Sequence, residues 1–446
     1  MGKAPSSSQY RSYQKTIVCR FFERGACAFG DDCRFAHPQS TNPTSSSGGP
    51  EYRHMDSRLL QGDASVAARK HRESGTHFSK RVYLYADGKE QHGHTGPGGD
   101  DDCLRSVSVM SYNILADAYA KQHSKELYSS VPGACLRWST RARLLEKEIS
   151  HWSPDIVCLQ EVDRFKHIEQ MLRPYGYIGR FTPRTNGRPD GLAMFWQKSK
   201  FQLDASNDVS YAQYGLRDNV AQIYALKSAS PKSITLIISN IHVLFNPKRG
   251  DIKIGQVRIL MDRMADMMNT RHASSAIMCG DFNSAPNSSL HSYVLTGELD
   301  FLESDRRHIS GQISCTLRST PGDGQKKTQK PSKPWKVEEI YLATGTQATG
   351  RVRHGLDVKS SYQQILGGEE PFFTTAHDKY IGTVDYIFYS NGRKEQRNPG
   401  GISISPSQIL APPPLHAITP KGLPHGFWPS DHVSLLTHFD ISYNDA

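Results

Sequence analysis

The sequence predicts an α/β (α+β) protein in which two packed β-sheets are flanked by helices, preceded by a small metal-stapled module. Three observations carry this expectation. Strand-like apolar runs recur from Val107 to the C-terminal "SLLTHF", and segments of helical period interrupt them. Three cysteines and a histidine cluster within residues 16–40. Between these regions, residues 41–104 are rich in Gly, Ser, His and charge ("STNPTSSSGGP", "GHTGPGGDDD") and carry few apolar residues.

Taken in order, residues 1–15 are polar and Ser-rich, an expected disordered tail. Residues 16–40 form the expected finger and 41–104 a flexible linker, in which "RKHR" at Arg69 to Arg72 reads as a solvated charge run. From Val107, "VSVMSYNIL" alternates as a strand does. Arg141 to Trp152 predicts a helix, with Leu145, Ile149 and Trp152 on one face, stopped by Ser153-Pro154. "DIVCLQEV" then reads as a buried strand, followed by strands at "GLAMFWQ", "AQIYAL", "ITLIISNIHVLF", "SAIMCGDF" and "TVDYIFYS". A long amphipathic helix after Asp251 keeps Val257, Leu260, Met261, Met264 and Met268 at helical spacing, as core packing residues. Leu317 to Lys336 has no periodicity and carries six basic residues against one acid, a flexible surface insertion able to touch a nucleic-acid backbone.

The 54 Lys and Arg against 44 Asp and Glu give a net charge of +10 over 446 residues, which suits a polyanionic partner. Eight cysteines are too sparse for a disulfide scaffold. Cys158 and Cys279 sit inside apolar runs as small hydrophobes, so a reducing compartment, nucleus or cytoplasm, is expected. No run approaches the ~18 apolar residues a bilayer span needs, and none is expected. "MGKAPS" matches the loose myristoylation pattern, but one acyl chain anchors only marginally.

"CRFFERGACAFGDDCRFAH" spaces Cys19, Cys27, Cys33 and His37 as C-x7-C-x5-C-x3-H. Three thiolates and one imidazole satisfy tetrahedral Zn²⁺, and so short a segment needs the metal's folding energy. The stretch resembles the CCCH zinc-finger family, which implies single-stranded RNA binding. Phe21, Phe22, Phe29 and Phe35 among Arg20, Arg24 and Arg34 suit base stacking with phosphate contact, although some of those rings would pack the finger's own core.

Elsewhere, polar groups recur at strand ends: Asn113 in "SYN", Glu161 in "VCLQE", His242 in "SNIH", Asp281 and Asn283 in "GDFN", Asp385 in "TVDY", and Asp431 and His432 in "WPSDHVSLL". Any one could cap a turn or be a satisfied buried group. Brought to one rim, they would make a carboxylate-rich pocket for a hard cation, suited to phosphoester hydrolysis. Oxygen ligands favour Mg²⁺ over zinc.

Residues 105–442 resemble the endonuclease/exonuclease/phosphatase superfamily of deoxyribonuclease-I-like fold. They are most similar to the carbon catabolite repressor type of poly(A)-specific ribonuclease and its Angel and nocturnin relatives. The blocks "SYNILAD", "LQEVD", "PDGLAMFW", "RDNVA", "NIHVLFNPKRGDIKIGQ", "GDFNSAPNSSL", "GTVDYIFYS" and "WPSDHVSLL" carry the likeness. It implies a four-layer α/β/β/α sandwich and one or two Mg²⁺ ions. Glu161 would be the principal ligand, with Asn113 beside it and Asp431 completing the shell. Asp281 would act as base or second-metal ligand, Asn283 would orient phosphate and water, and His242 and His432 would contact the scissile phosphate. Asp385 would fix the tautomer of His432. The neighbourhoods of Asn246-Pro247 and Phe388 would line a nucleotide pocket.

The activity implied is 3′→5′ exonuclease action on poly(A) tails or single-stranded 3′ ends, with the finger assisting and mRNA-decay proteins as partners. A phosphatase acting on RNA 2′,3′-cyclic phosphate ends or a phosphorylated nucleotide is the alternative. A non-catalytic RNA-binding adaptor is a third.

Overall fold

Val107 and Val109 pack to one side of their strand and Met110 and Tyr112 to the other, and this two-sided burial organises the sheets that follow. The structure, a computed structural model, describes residues 81–86, 103–314, 334–346, 349–393, 401–414, 417–418 and 422–444. The chain divides into two compact units, Met1–Thr76 with Pro414–Thr419, and His77–Pro413 with Pro420–Ala446. The first lies almost wholly outside the described residues, and the second holds every element below.

In chain order the strands are β1 (Tyr83–Tyr85), β2 (Ser106–Asn113), β3 (Ile156–Gln160), β4 (Tyr177–Pro183), β5 (Gly191–Gln197) and β6 (Phe201–Ser210). Then come β7 (Val220–Ser228), β8 (Thr235–His242), β9 (Ser275–Asp281), β10 (Glu298–Asp300), β11 (Arg351–Arg353) and β12 (Leu356–Ser360). The last are β13 (Thr375–His377), β14 (Tyr380–Gly382), β15 (Asp385–Arg393), β16 (Ile402–Leu410) and β17 (Leu435–Tyr443). One sheet has seven strands in the order β1-β16-β17-β2-β3-β5-β4, and the other six in the order β12-β15-β9-β8-β7-β6. β10–β11, far apart in the chain, and the hairpin β13–β14 are separate two-stranded sheets. The two parallel neighbours in these sheets, β2/β3 and β8/β9, are joined by the helices Trp138–Trp152 and Gly250–Thr270, the crossover that parallel pairing requires.

Three cores give the four layers. Leu145 and Ile149 of the first helix pack with Met110, Tyr112, Val157 and Leu159 on the outer face of the seven-stranded sheet. Between the sheets lie Val107, Val109 and Cys158 from one side and Ile238, Ile277, Cys279 and Ile387 from the other. Outside the second sheet, Val257, Leu260, Met261, Met264 and Met268 pack against Ile237, Met278, Tyr386 and Phe388. The expected α/β/β/α sandwich is therefore the observed one.

A polar bridge crosses the middle layer. Gln160 Nε2 donates to Asn240 Oδ1 at 2.8 Å, and Asn240 Nδ2 donates to Leu159 O at 3.0 Å and Gln222 Oε1 at 3.2 Å. Both amides are fully buried, so losing one partner would leave the other unsatisfied at a cost of about 1–3 kcal/mol. This bridge fixes the sheets to each other one residue below Glu161 and two below His242.

Three sequence expectations are corrected. The stretch read as linker over 41–104 contains β1, paired with β16, and the buried Arg81. Arg81 donates to Ser434 Oγ and Ser434 O at 2.8 Å each and to Ala411 O, and lies 3.6 Å from Glu148. A short stretch with few apolar residues hides such an anchor, because its partners are hundreds of residues away. The 317–336 insertion ends inside the fold: Trp335 donates to Ser304 O at 2.8 Å and rests on Phe301, while residues 317–333 lie outside the described residues. The helix expected from Arg141 begins at Trp138 and ends at Ser153, which takes a left-handed φ of 46° before Pro154. Among the described residues, no helix is long and apolar enough to cross a membrane, and the buried Cys158 and Cys279 are free thiols.

Candidate active site

Strand register assembles one half of the site. His242, Asp281 and Asp385 are direct partners across β8, β9 and β15, so three polar side chains stand abreast where these strands end. Gly280 permits it: a Cβ there would lie 2.1 Å from Ile241 O, and its φ of 155° disfavours other residues. Past β9, Asn283 takes a φ of 46°, and its N–H donates back to Asp281 Oδ1 at 2.9 Å. The other sheet supplies Asn113 at the end of β2, Glu161 just after β3, and Asp431 and His432 just before β17. Glu161 is held at φ 57°, a conformation that costs on the order of 1–3 kcal/mol in a non-glycine residue and tends to mark functional turns.

All eight residues converge. Asn113 Nδ2 donates to Glu161 Oε1 at 3.2 Å and to Asp281 Oδ2 at 3.1 Å, tying the sheets together at the rim. Ala116 N–H donates to the second oxygen of Glu161. Asp281 Oδ2 lies 3.5 Å from His242 Nε2 and 3.9 Å from His432 Nε2. His432 Nδ1 is 2.8 Å from Asp385 Oδ2. Asp431 accepts from Tyr128 at 2.9 Å. Asn283 Nδ2 donates to Val243 O, and its Oδ1 accepts from Gln312 at 3.3 Å.

The electrostatics follow from crowding acids where water is scarce. Burial, then Asp431 and Asp190, push Glu161 up to about 8, while part of the residue stays open to solvent. Burial and Asp385 push Asp281 up to about 7. Burial opposes charge on His432, but Asp385, Asp431 and Asp281 together hold its pKa well above the usual imidazole range. His242 goes the other way: burial, Arg184, His432 and Lys253 hold it well below that range.

Such a donor set fits a divalent cation. Burial and neighbouring acids push Glu161 and Asp281 up despite the opposing charge of His432, and Asp385 Oδ1 is buried without a partner among the described residues. A hard cation would supply the missing positive charge. Asp281, Asp385 and His432 place ligand atoms within 4.8 Å of one another. A histidine–carboxylate hydrogen bond produces that closeness by itself, which leaves Glu161, Asn113 and Asp431 as the other oxygen-bearing side.

Several residues escaped the sequence reading. Asp190 lies in the quoted "PDGLAMFW"; it accepts from Tyr119 at 2.7 Å and pairs with Arg184 at 3.3 Å, beside Glu161. Lys253, fully buried, donates to Asn283 O at 2.5 Å and to Gln312 at 2.9 Å; burial lowers it to about 7. The signal was a lysine between Ile252 and Ile254 at the start of a helix, where residues 250–257 are all buried. Tyr128 carried no signal in the sequence. The expectation for Phe388 is corrected: it is fully buried, stacked on Tyr386 and packed against Phe282, because β15 turns that face toward the outer helices. Asn246 is exposed and Pro247 half-buried. Cys19, Cys27, Cys33, His37, Phe21, Phe22, Phe29, Phe35, Arg20 and Arg34 lie outside the described residues.

Comparison with known proteins gives a consistent picture. Residues 110–432 match the Endonuclease/Exonuclease/phosphatase family, and residues 14–39 match the zinc finger of C-x8-C-x5-C-x3-H type and similar. Carbon catabolite repressor protein 4 homolog 3 of Arabidopsis thaliana is 36% identical over 349 residues, 75% of each chain. Protein angel homolog 2 of Mus musculus is 30% identical over 376 residues, covering 75% of this chain and 69% of its own. The crystal structure of ANGEL2, a 2′,3′-cyclic phosphatase, in complex with adenosine-2′,3′-vanadate superposes with a TM-score of 0.64 at 28% identity, covering 81% of this chain and 98% of its own.

Proposed function

The chain belongs to the endonuclease/exonuclease/phosphatase family, a hydrolase family acting on phosphoester bonds, and from that premise we propose that it shortens RNA from the 3′ end with Mg²⁺, preferring poly(A). The observation that carries the reading is the convergence of Glu161, Asp281 and the His432–Asp385 pair on one rim. Mg²⁺, held by Glu161, Asn113 and Asp431, would offset charge on the phosphoryl group.

The side chains divide the remaining work. Asp281, with a proton affinity near neutrality, accepts the proton of the attacking water. The Asn113 amide and the Asn283 N–H hold its carboxylate in place. His432, kept protonated by Asp385, donates through Nε2 to a phosphoryl oxygen, and neutral His242 contacts the same group. Water forms the new P–O bond as the P–O3′ bond breaks, and the leaving oxygen takes up a proton. Asn283 orients phosphate and water. The zinc finger, with Zn²⁺ on Cys19, Cys27, Cys33 and His37, would hold the transcript near the site, in nucleus or cytoplasm.

A second reading, removal of the phosphate from a 2′,3′-cyclic end, is favoured by the likeness to ANGEL2 over most of the chain. One assay separates them. Incubated with Mg²⁺ and 5′-labelled, A-tailed RNA, the protein is expected to give a ladder shortening from the 3′ end. Glu161→Ala is expected to abolish it, by about three orders of magnitude or more. A cyclic-phosphate-ended oligomer that opens or loses only its phosphate, with no ladder, selects the phosphatase. Neither product would leave the adaptor.

A further inference from the structure

A hairpin closes over the Asp431–His432 edge of the site. Thr375 of β13 pairs antiparallel with His432, with Ala376 N–H donating to Asp431 O at 2.9 Å and Val433 N–H to Thr374 O at 2.8 Å. In this pattern the two residues are a non-hydrogen-bonded pair, whose side chains lie close together on the same face. Residues two apart in a strand share a face. His377 therefore projects to the side on which His432 meets Asp385 and Asp281. Its ring feels the charges of both Asp431 and His432, and only 9% of the residue is exposed.

The ring is also fixed. Lys379 N–H donates to His377 Nδ1 at 3.3 Å. A backbone N–H can only donate, so Nδ1 is the acceptor and the proton of the neutral ring sits on Nε2. Nε2 has no hydrogen-bond partner among the described residues. The hairpin tip is clamped from outside: Asp378 accepts from Ser129 N–H at 2.8 Å and from its hydroxyl, Asp378 N–H donates to Leu127 O, and Lys379 pairs with Glu126. The loop that holds the tip also carries Tyr128, the donor to Asp431. A committed donor on a pinned strand, facing acids, has no acid bonded to it.

We infer that His377 is a third substrate-contacting imidazole, whose Nε2–H donates to a non-bridging oxygen of the scissile phosphoryl group bound beside His432. The inference rests on the reading that this rim binds a phosphoryl group, and it adds a contact that neither His242 nor His432 provides.

The test measures binding of adenosine 3′-monophosphate and of adenosine to the full-length protein in Mg²⁺ by calorimetry, beside hydrolysis kinetics. His377→Phe is expected to weaken the nucleotide by about 10- to 100-fold, the range for a hydrogen bond to a charged group, and to leave adenosine unchanged. His377→Gln, which keeps a donor, is expected to recover most of the loss, and both variants should melt near the wild type. Equal nucleotide affinity in wild type and His377→Phe overturns the inference. So does an equal loss for adenosine, and so does a wild type that does not prefer the nucleotide. Absence of RNA hydrolysis by the wild type refutes the proposed activity instead, and the binding comparison still decides His377.

Discussion

His432 and His242 face the same Asp281 oxygen, at 3.9 and 3.5 Å, yet the fold gives them opposite characters. The difference lies at the far side of each ring. His432 Nδ1 meets Asp385 at 2.8 Å, with Asp431 adjacent in sequence. His242 Nδ1 is buried with no partner among the described residues, and burial, with the positive charges of Arg184, His432 and Lys253, holds the ring down although Asp281 lies beside it. The lesson is that distance to the shared acid does not set the role. A carboxylate behind the ring makes a cationic donor, and its absence leaves a neutral one.

Removing that carboxylate is the hardest test of the contrast. Asp385→Asn should lower kcat by about 10²–10⁴-fold, since it withdraws the charge and the tautomer preference that His432 depends on. It should also move the alkaline limb of the pH–rate profile to lower pH, because His432 then loses its proton sooner; an unmoved limb would break the comparison. His242→Asn should cost less, about 10- to 100-fold in kcat/KM, and leave that limb in place.

The smallest effect concerns stability. The folded pKa of Glu161, about 8, lies above its ordinary 4.5, so the folded state binds the extra proton between those values. The contribution is present below about pH 4.5 and is lost as pH rises through about 8. In chelator, the wild type should therefore lose stability relative to Glu161→Gln across that window, read from melting temperatures. Excess Mg²⁺ should reverse the trend for the wild type alone. Parallel curves would mean that the Glu161 carboxyl is not strained by its neighbours.

Much of this rim was legible from sequence, because each polar residue interrupts an apolar run. "NIH" and "GDF" announce His242 and Asp281 by breaking the β8 and β9 pattern, and "DIVCLQEV" does the same for Glu161. Strands buried on both faces leave few reasons for an acid at their ends. What stayed hidden depends on loops and register. Tyr128 sits in an irregular stretch, and it reaches Asp431 only because a hairpin clamps that loop. His377 alternates with Thr375 as any short strand would. Phe388 looked accessible because the sequence cannot say which face of β15 is turned toward the middle layer and which toward the helices.

Arg81 shows where the catalysing body starts. Its guanidinium grips Ser434, two positions past His432, and shields Glu148, which itself accepts from Ser434 at 2.7 Å. A chain shortened to begin at Cys103 would retain all eight rim residues and still strand Glu148 as a solitary acid in the interior. Loss of one member of such a buried pair costs about 3–5 kcal/mol, a large share of the roughly 5–15 kcal/mol that keeps a typical domain folded. Inactivity in so trimmed a protein would then report a missing foundation, not a missing catalyst.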